Sequence, residues 1–251
     1  MAAAWGRVKR SLELDDVDSG SFELLPLLYR TLADSGVEDA MLGRLKGVYR
    51  RTWYGNQLLI RRTGGAVEAL RAEGVEAMVF GGAALGIRYY KHFGARAMAD
   101  TAVAVPAAAA RRAGELLGVG IPTAQLDDVL WAGRVPLALG DVAAYAPCAA
   151  DELLRICAQA ISGAGSCRWA ADAVVLLRSQ RDIDWDRLVA RARRLGVTPH
   201  LRLTLAYVRE TLDAPVAASV LDSLDAAARP LDYARLHLAR GRAAVRSLRS
   251  A

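Results

Sequence analysis

What most constrains this chain is one stretch, where the apolar run ending in Val79-Phe80 meets Gly81-Gly82 and then Ala83-Ala84-Leu85. After the polar segment Arg88-Tyr89-Tyr90-Lys91-His92 comes a second apolar run, Ala99 to Val105, carrying one carboxylate, Asp100. The pattern predicts a strand over Glu76 to Phe80, a glycine turn, a short helix, a loop and a second strand over Ala99 to Val105. Glycines between strand and helix let backbone N–H groups approach an anion at the helix N-terminus. A carboxylate on the neighbouring strand can hold a metal that bridges to that anion. A Gly-Gly pair is also a common tight turn, so the stretch alone leaves both readings open.

The wider sequence adds a family resemblance. Phe22-Glu23-Leu24-Leu25-Pro26-Leu27-Leu28-Tyr29-Arg30, and then Leu45 to Leu59, resemble the opening helices of an uncharacterised bacterial nucleotidyltransferase family of the polymerase-β-like superfamily. Gly82-Ala83-Ala84-Leu85 with Arg88-Tyr89-Tyr90 is similar to its glycine turn, and Arg96-Ala97-Met98-Ala99-Asp100 to its metal strand. Arg168-Trp169-Ala170-Ala171-Asp172 and Ile183-Asp184-Trp185-Asp186-Arg187-Leu188 resemble its helical C-terminal half, so the resemblance runs from Phe22 to about Pro215.

The chain departs from that pattern at the positions that carry the chemistry. Where the family reads Lys-Gly, this chain has Gly81-Gly82, and where the family reads Asp-x-Asp it has Asp100-Thr101-Ala102. A further strand with a third carboxylate is expected to be missing, because Val119 to Ala144 looks too short to hold it. Gln159 stands where a histidine is usual. Two-metal transfer needs several carboxylates converging on ions about 3.5–4 Å apart. On a strand Ala102 would point the same way as Asp100 and offer no oxygen. Losing the lysine also removes a point charge for phosphate.

At 251 residues, 53% hydrophobic and 24% charged, the chain reads as globular, with one large core or two modest ones. Its formal charge is +6, and only Lys9, Lys46 and Lys91 are lysines. The arginine bias suggests a GC-rich bacterial gene. Most arginines alternate with acidic and apolar residues, which argues for solvated faces and against a nucleic-acid partner. Arg235 to Arg249 reads as a solvated C-terminal helix. Cys148, Cys157 and Cys167 lack metal or disulfide spacing and are expected as buried free thiols in a cytoplasmic protein. No apolar run approaches a membrane span and no signal-peptide core is present.

The expected architecture is α+β and mostly helical: a small mixed sheet flanked by helices, joined to a C-terminal helical bundle. Residues 1–20 are expected as a flexible arm, 21–147 as the nucleotidyltransferase-like domain and 148–251 as the helical domain. Ser21 is the expected cap of the first helix, a long helix runs from about Val37 to Arg71 with a weak point at Gly64-Gly65, and Pro106 opens a helix. Strands are also expected near Arg134 to Leu139 and Val142 to Tyr145. Helices follow over Cys148 to Ile161, Ser166 to Arg178, Asp184 to Leu195, Pro199 to Leu212, Val216 to Leu224 and Pro230 to Leu248.

Asp100 is the leading candidate for chemistry, since a carboxylate in an apolar strand needs a cation or donors; a salt bridge to Arg88 or Arg96 would serve equally. His92, the only histidine near the turn, is the acid–base candidate, with Arg88 beside it. Gly81, Gly82, Ala83, Tyr90 and Arg96 form the expected binding wall, and the resemblance adds Arg168, Trp169 and Asp172. Asp127 and Asp128 could replace missing carboxylates or be a solvated pair. His200 and His237 are expected to be structural. The resulting expectation is a degenerate nucleotidyltransferase fold that binds a small molecule, or runs metal-independent chemistry, in a bacterial specialised pathway, with no cofactor and no metal ligand set. Two alternatives stand beside it: a transferase using Mg²⁺ and a nucleoside triphosphate at Asp100, and a non-enzymatic protein that docks a partner.

Overall fold

The protein, seen in a computed structural model, is described for residues 2–10, 12, 16–117, 123–160 and 167–236. It divides into two units, Met1–Pro147 and Cys148–Ala251. The first opens with helices α1 (Ala2–Lys9), α2 (Ser19–Phe22), α3 (Leu25–Asp34) and α4 (Leu42–Ala72). Then come β1 (Met78–Phe80), α5 (Gly82–Arg88), β2 (Ala102–Pro106), a 3-10 turn at Ala107–Ala109, α6 (Ala110–Leu117) and β3 (Thr123–Leu126). Helix α7 (Asp128–Ala132), β4 (Arg134–Leu139) and β5 (Val142–Pro147) complete it.

The five strands form one mixed sheet in the order β3-β2-β1-β5-β4. β1 runs antiparallel to β2 and parallel to β5, β2 parallel to β3, and β4 antiparallel to β5. Side chains alternate across a strand, so the two faces pack differently. Val79, Val103 and Val105 join Ile60, Val67 and Leu70 of α4, Ala83 and Ala84 of α5 and Ala113 of α6 in the main core. Met78 and Ala104 face the other way, against Leu130 and Trp131 of α7 and Tyr145 of β5.

Several expectations need correction here. Residues 2–9, expected in a flexible arm, form α1, whose Trp5 is buried with Leu25, Leu32 and Leu45. Trp5 Nε1 donates to Asp39 Oδ2 at 3.0 Å and Lys9 pairs with the same oxygen at 2.8 Å. Ser21 is not a cap; Asp18 caps α2 by accepting from the Ser21 N–H. α4 is unbroken through Gly64-Gly65, with Gly64 buried against the Leu139–Val142 turn between β4 and β5. Pro106 ends β2 and, as expected, opens the helical stretch that follows, as the N-cap of the 3-10 turn leading into α6. The interval after Val119 holds three strands and is not too short, although none of the three bears a carboxylate.

The second unit is helical: α8 (Ala149–Gln159), α9 (Arg168–Ser179), α10 (Trp185–Leu195), α11 (Thr198–Leu212) and α12 (Ala218–Ala227), with residues 230–236 also helical. α8 packs on α9, α10 and α11. Its buried Asp151 pairs with Arg187 at 2.6 Å and Arg191 at 3.3 Å, so the buried charge is compensated. His200 is structural, its Nε2 lying 2.7 Å from the Cys157 carbonyl. Only Cys157 of the three thiols is buried, because Cys148 and Cys167 sit at the N-caps of α8 and α9. His237 and most of the Arg235 to Arg249 stretch lie outside the described residues. Among the described residues no helix is long and apolar enough to cross a membrane.

Candidate functional site at the glycine turn

β1 ends at Phe80, paired with Ala102 of β2, and the chain turns into α5 through Gly81. Gly81 has φ +73°, a conformation L side chains rarely adopt. A Cβ there would lie 2.2 Å from the Asp100 carbonyl oxygen. A Cβ on Gly82 would lie 2.3 Å from the Met98 Cα and 2.7 Å from Asp100 Oδ1. Both glycines are therefore required by the close approach of residues 98–100. Side chains at this turn and this path of the loop exclude each other.

Asp100 does not lie on the strand as expected. It sits in the turn before β2, which begins at Ala102. Both its oxygens are held by Arg96: Nη1 donates to Oδ1 at 2.9 Å and Nη2 to Oδ2 at 3.1 Å. Nη1 also donates to the Ala97 carbonyl. The Arg96 side chain is 1% exposed and that of Asp100 26%, so the guanidinium is enclosed and the carboxylate is its neutralising partner. Of the two partners weighed from the sequence, Arg96 is the one present. Thr101 fills the remaining gap: its Oγ1 accepts from the Ala83 N–H at 2.8 Å and donates to the Met98 carbonyl at 2.7 Å. One amide of the α5 first turn thus has an internal partner.

The loop is held from behind by Asn56, a residue the sequence reading did not single out. Asn56 is 3% exposed on α4. Its Nδ2 donates to the carbonyls of Phe93 and Arg96, and its Oδ1 accepts from the Met98 N–H at 3.0 Å. An amide on the core-facing side of a long helix was the available signal, since such a group must find partners.

The other candidates of this unit point elsewhere. His92 Nε2 lies 2.8 Å from Asp34 Oδ2 and 3.1 Å from Arg30 Nη2, so its ring is tied to α3. The hydrogen bond from His92, helped by the charges of Arg30 and Lys91, holds the Asp34 carboxyl below its ordinary value. Arg88 donates to the Pro147 carbonyl and lies over the Tyr89 ring, 4.8 Å from its centre. Tyr90 is buried. Asp127 caps α7 by accepting from the Leu130 N–H, and both it and Asp128 are exposed. Arg168, Trp169 and Asp172 belong to the second unit, on α9. There Asp172 is buried and Trp169 packs on the Tyr207 ring at 5.8 Å. Gln159 is exposed at the end of α8.

These residues do not fit a magnesium pair. Asp100 is clasped by a guanidinium, Ala102 supplies a methyl group, and β3, β4 and β5 carry no carboxylate. Among the described residues no three His, Cys, Asp or Glu side chains converge as a metal-holding group.

No curated protein and no solved structure matches the chain. The family described as uncharacterised nucleotidyltransferase matches residues 22–119 and 121–213, a span that includes the glycine turn, the Arg96–Asp100 pair and α8 to α11. The chain belongs to this uncharacterised nucleotidyltransferase family.

Proposed function

We propose that this chain is a degenerate nucleotidyltransferase that has lost two-metal nucleotidyl transfer and uses its inherited fold to bind a small molecule, as part of a bacterial biosynthetic pathway. The observation that carries the reading is the Arg96 clasp on Asp100, with Ala102 where a second carboxylate would be needed. Gly81 supports it, because the tight approach of Asp100 leaves no room for a lysine side chain at the turn. A groove of about 480 Å³ on the α4 side of residues 97–99 offers the binding space. Phe22, Val48, Thr52, Gly55, Leu59 and Met98 line it, a mostly apolar wall of the kind that accepts small ligands.

The reading is tested by calorimetric titration with each nucleoside triphosphate, with and without Mg²⁺ or Mn²⁺. No metal-dependent binding is expected, in the wild type or in an Asp100→Asn variant shown by circular dichroism to be folded despite the loss of the Arg96 pair. Metal-dependent binding at micromolar affinity that disappears in Asp100→Asn would overturn the proposal in favour of a single-metal transferase. A thermal-shift screen of metabolites against the wild type and Gly55→Leu, which fills the groove, then identifies the ligand class.

A further inference from the structure

Helix α4 departs from the alternating charge pattern of the rest of the chain. From Leu42 to Val67 it carries Arg44, Lys46, Arg50, Arg51, Arg61 and Arg62 and no acidic residue. All six are exposed. Lys46, Arg50, Arg51 and Arg61 have no ion-pair partner among the described residues. At the helical rise, Arg44 to Arg62 spans about 27 Å, with the positive charge in two groups, Arg44 to Arg51 and Arg61-Arg62, separated by about 15 Å. Between the two arginine pairs stand the exposed Trp53, Tyr54 and Leu58, at 43%, 62% and 55%. Arg50, Tyr54, Leu58 and Arg61 follow at spacings of four, four and three, so they share one face. Leu45, Asn56, Ile60, Val67 and Leu70 are buried on the packed side of the same helix.

We propose that this exposed face of α4 binds a single-stranded nucleic acid segment. The phosphates lie on the two basic groups and one or two bases stack on Trp53 and Tyr54. Guanidinium groups suit bidentate phosphate contact, and aromatic rings accept any base on their faces. An anionic membrane is a poorer match, because the apolar side of α4 is buried and only three large apolar side chains remain to insert. An acidic protein is also a poorer match. Those three side chains, flanked by charge, are too few for the apolar centre a stable protein interface needs. Arg51 also lines the groove beside residues 97–99, whereas Arg50, Tyr54, Leu58 and Arg61 do not, so the surface adjoins that groove without depending on what binds there.

The test is fluorescence anisotropy of a labelled single-stranded oligouridylate with the full chain, over about 50 to about 200 mM salt. The expected result is saturable binding whose log-affinity falls with log salt at a slope of about −3 to −4, the value for about four to six single-strand phosphate contacts. R50E/R51E should weaken binding at least about tenfold and flatten the slope, whereas W53A/Y54A should weaken it with the slope kept. R111E makes the same kind of charge change at an 89% exposed side chain on α6 and should leave binding intact. Circular dichroism confirms that each variant is folded. Absence of binding at low salt would overturn the proposal, as would equal loss in R111E, or tighter binding to polyglutamate or anionic vesicles than to the oligonucleotide.

Discussion

At the scale of single residues, the sequence identified Asp100 as the carboxylate to explain and named Arg96 as one of its two ordinary partners, which the structure bears out. It could not show that the pair is bidentate, because that depends on Asp100 leaving the strand for the preceding turn. Thr101 and Asn56 were illegible for a similar reason. A hydroxyl and an amide acquire meaning only when the backbone groups they satisfy come within reach from 18 and about 40 residues away. Restoring the family lysine makes the steric argument testable. Gly81→Lys should destabilise the first unit by about 2–4 kcal/mol, through positive φ and the collision with the Asp100 carbonyl, measured by urea unfolding. It should not restore nucleotide binding. Asn56→Ala leaves two carbonyls and one N–H buried without their partner and should cost about 2–4 kcal/mol by the same measurement. An effect below about 1 kcal/mol would mean the loop is held some other way.

Among elements, the helices of the second half were the most legible, because apolar residues at three- and four-residue spacing must face a core. Strand boundaries were less so: β1 and β2 start two and three residues later than the pattern suggested, and β3, only four residues long, carries too little pattern to be read. α1 was misjudged because its attachment rests on a distant partner, Asp39. The hydrogen bond from Lys9, then those from the Met41 N–H and Trp5, hold the Asp39 carboxyl down to about 2. An unfolded aspartate titrates near 3.9, so the folded group is the stronger acid. Its contribution is therefore complete above about pH 4 and is lost as pH falls through the folded value. The Trp5 indole N–H signal should keep its hydrogen-bonded shift down to about pH 4 and lose it progressively toward pH 2. In Asp39→Asn the signal should show no such transition.

For the whole molecule, the α+β architecture with a helical C-terminal half followed from the order of patterns along the chain. The proposed loss of transferase chemistry rests on two substitutions, Gly81 and Ala102, at positions that only a family resemblance could rank. Thiol accessibility gives a global readout of the second unit. Burial pushes the Cys157 thiol up to about 12 and raises that of half-buried Cys148 as well, while Cys167 is exposed. A thiol reagent at pH 8 should label Cys167 rapidly, Cys148 slowly, and Cys157 only at the rate of unfolding. Rapid labelling of all three would contradict the buried packing of α8. The sheet order also bears on self-association. β4 is an edge strand, and Pro136, exposed near its middle opposite Tyr145, has no N–H to offer a further strand. The open edge beside the five-stranded core is thereby blunted against the strand-on-strand stacking that seeds fibrils, a safeguard carried by one imino acid.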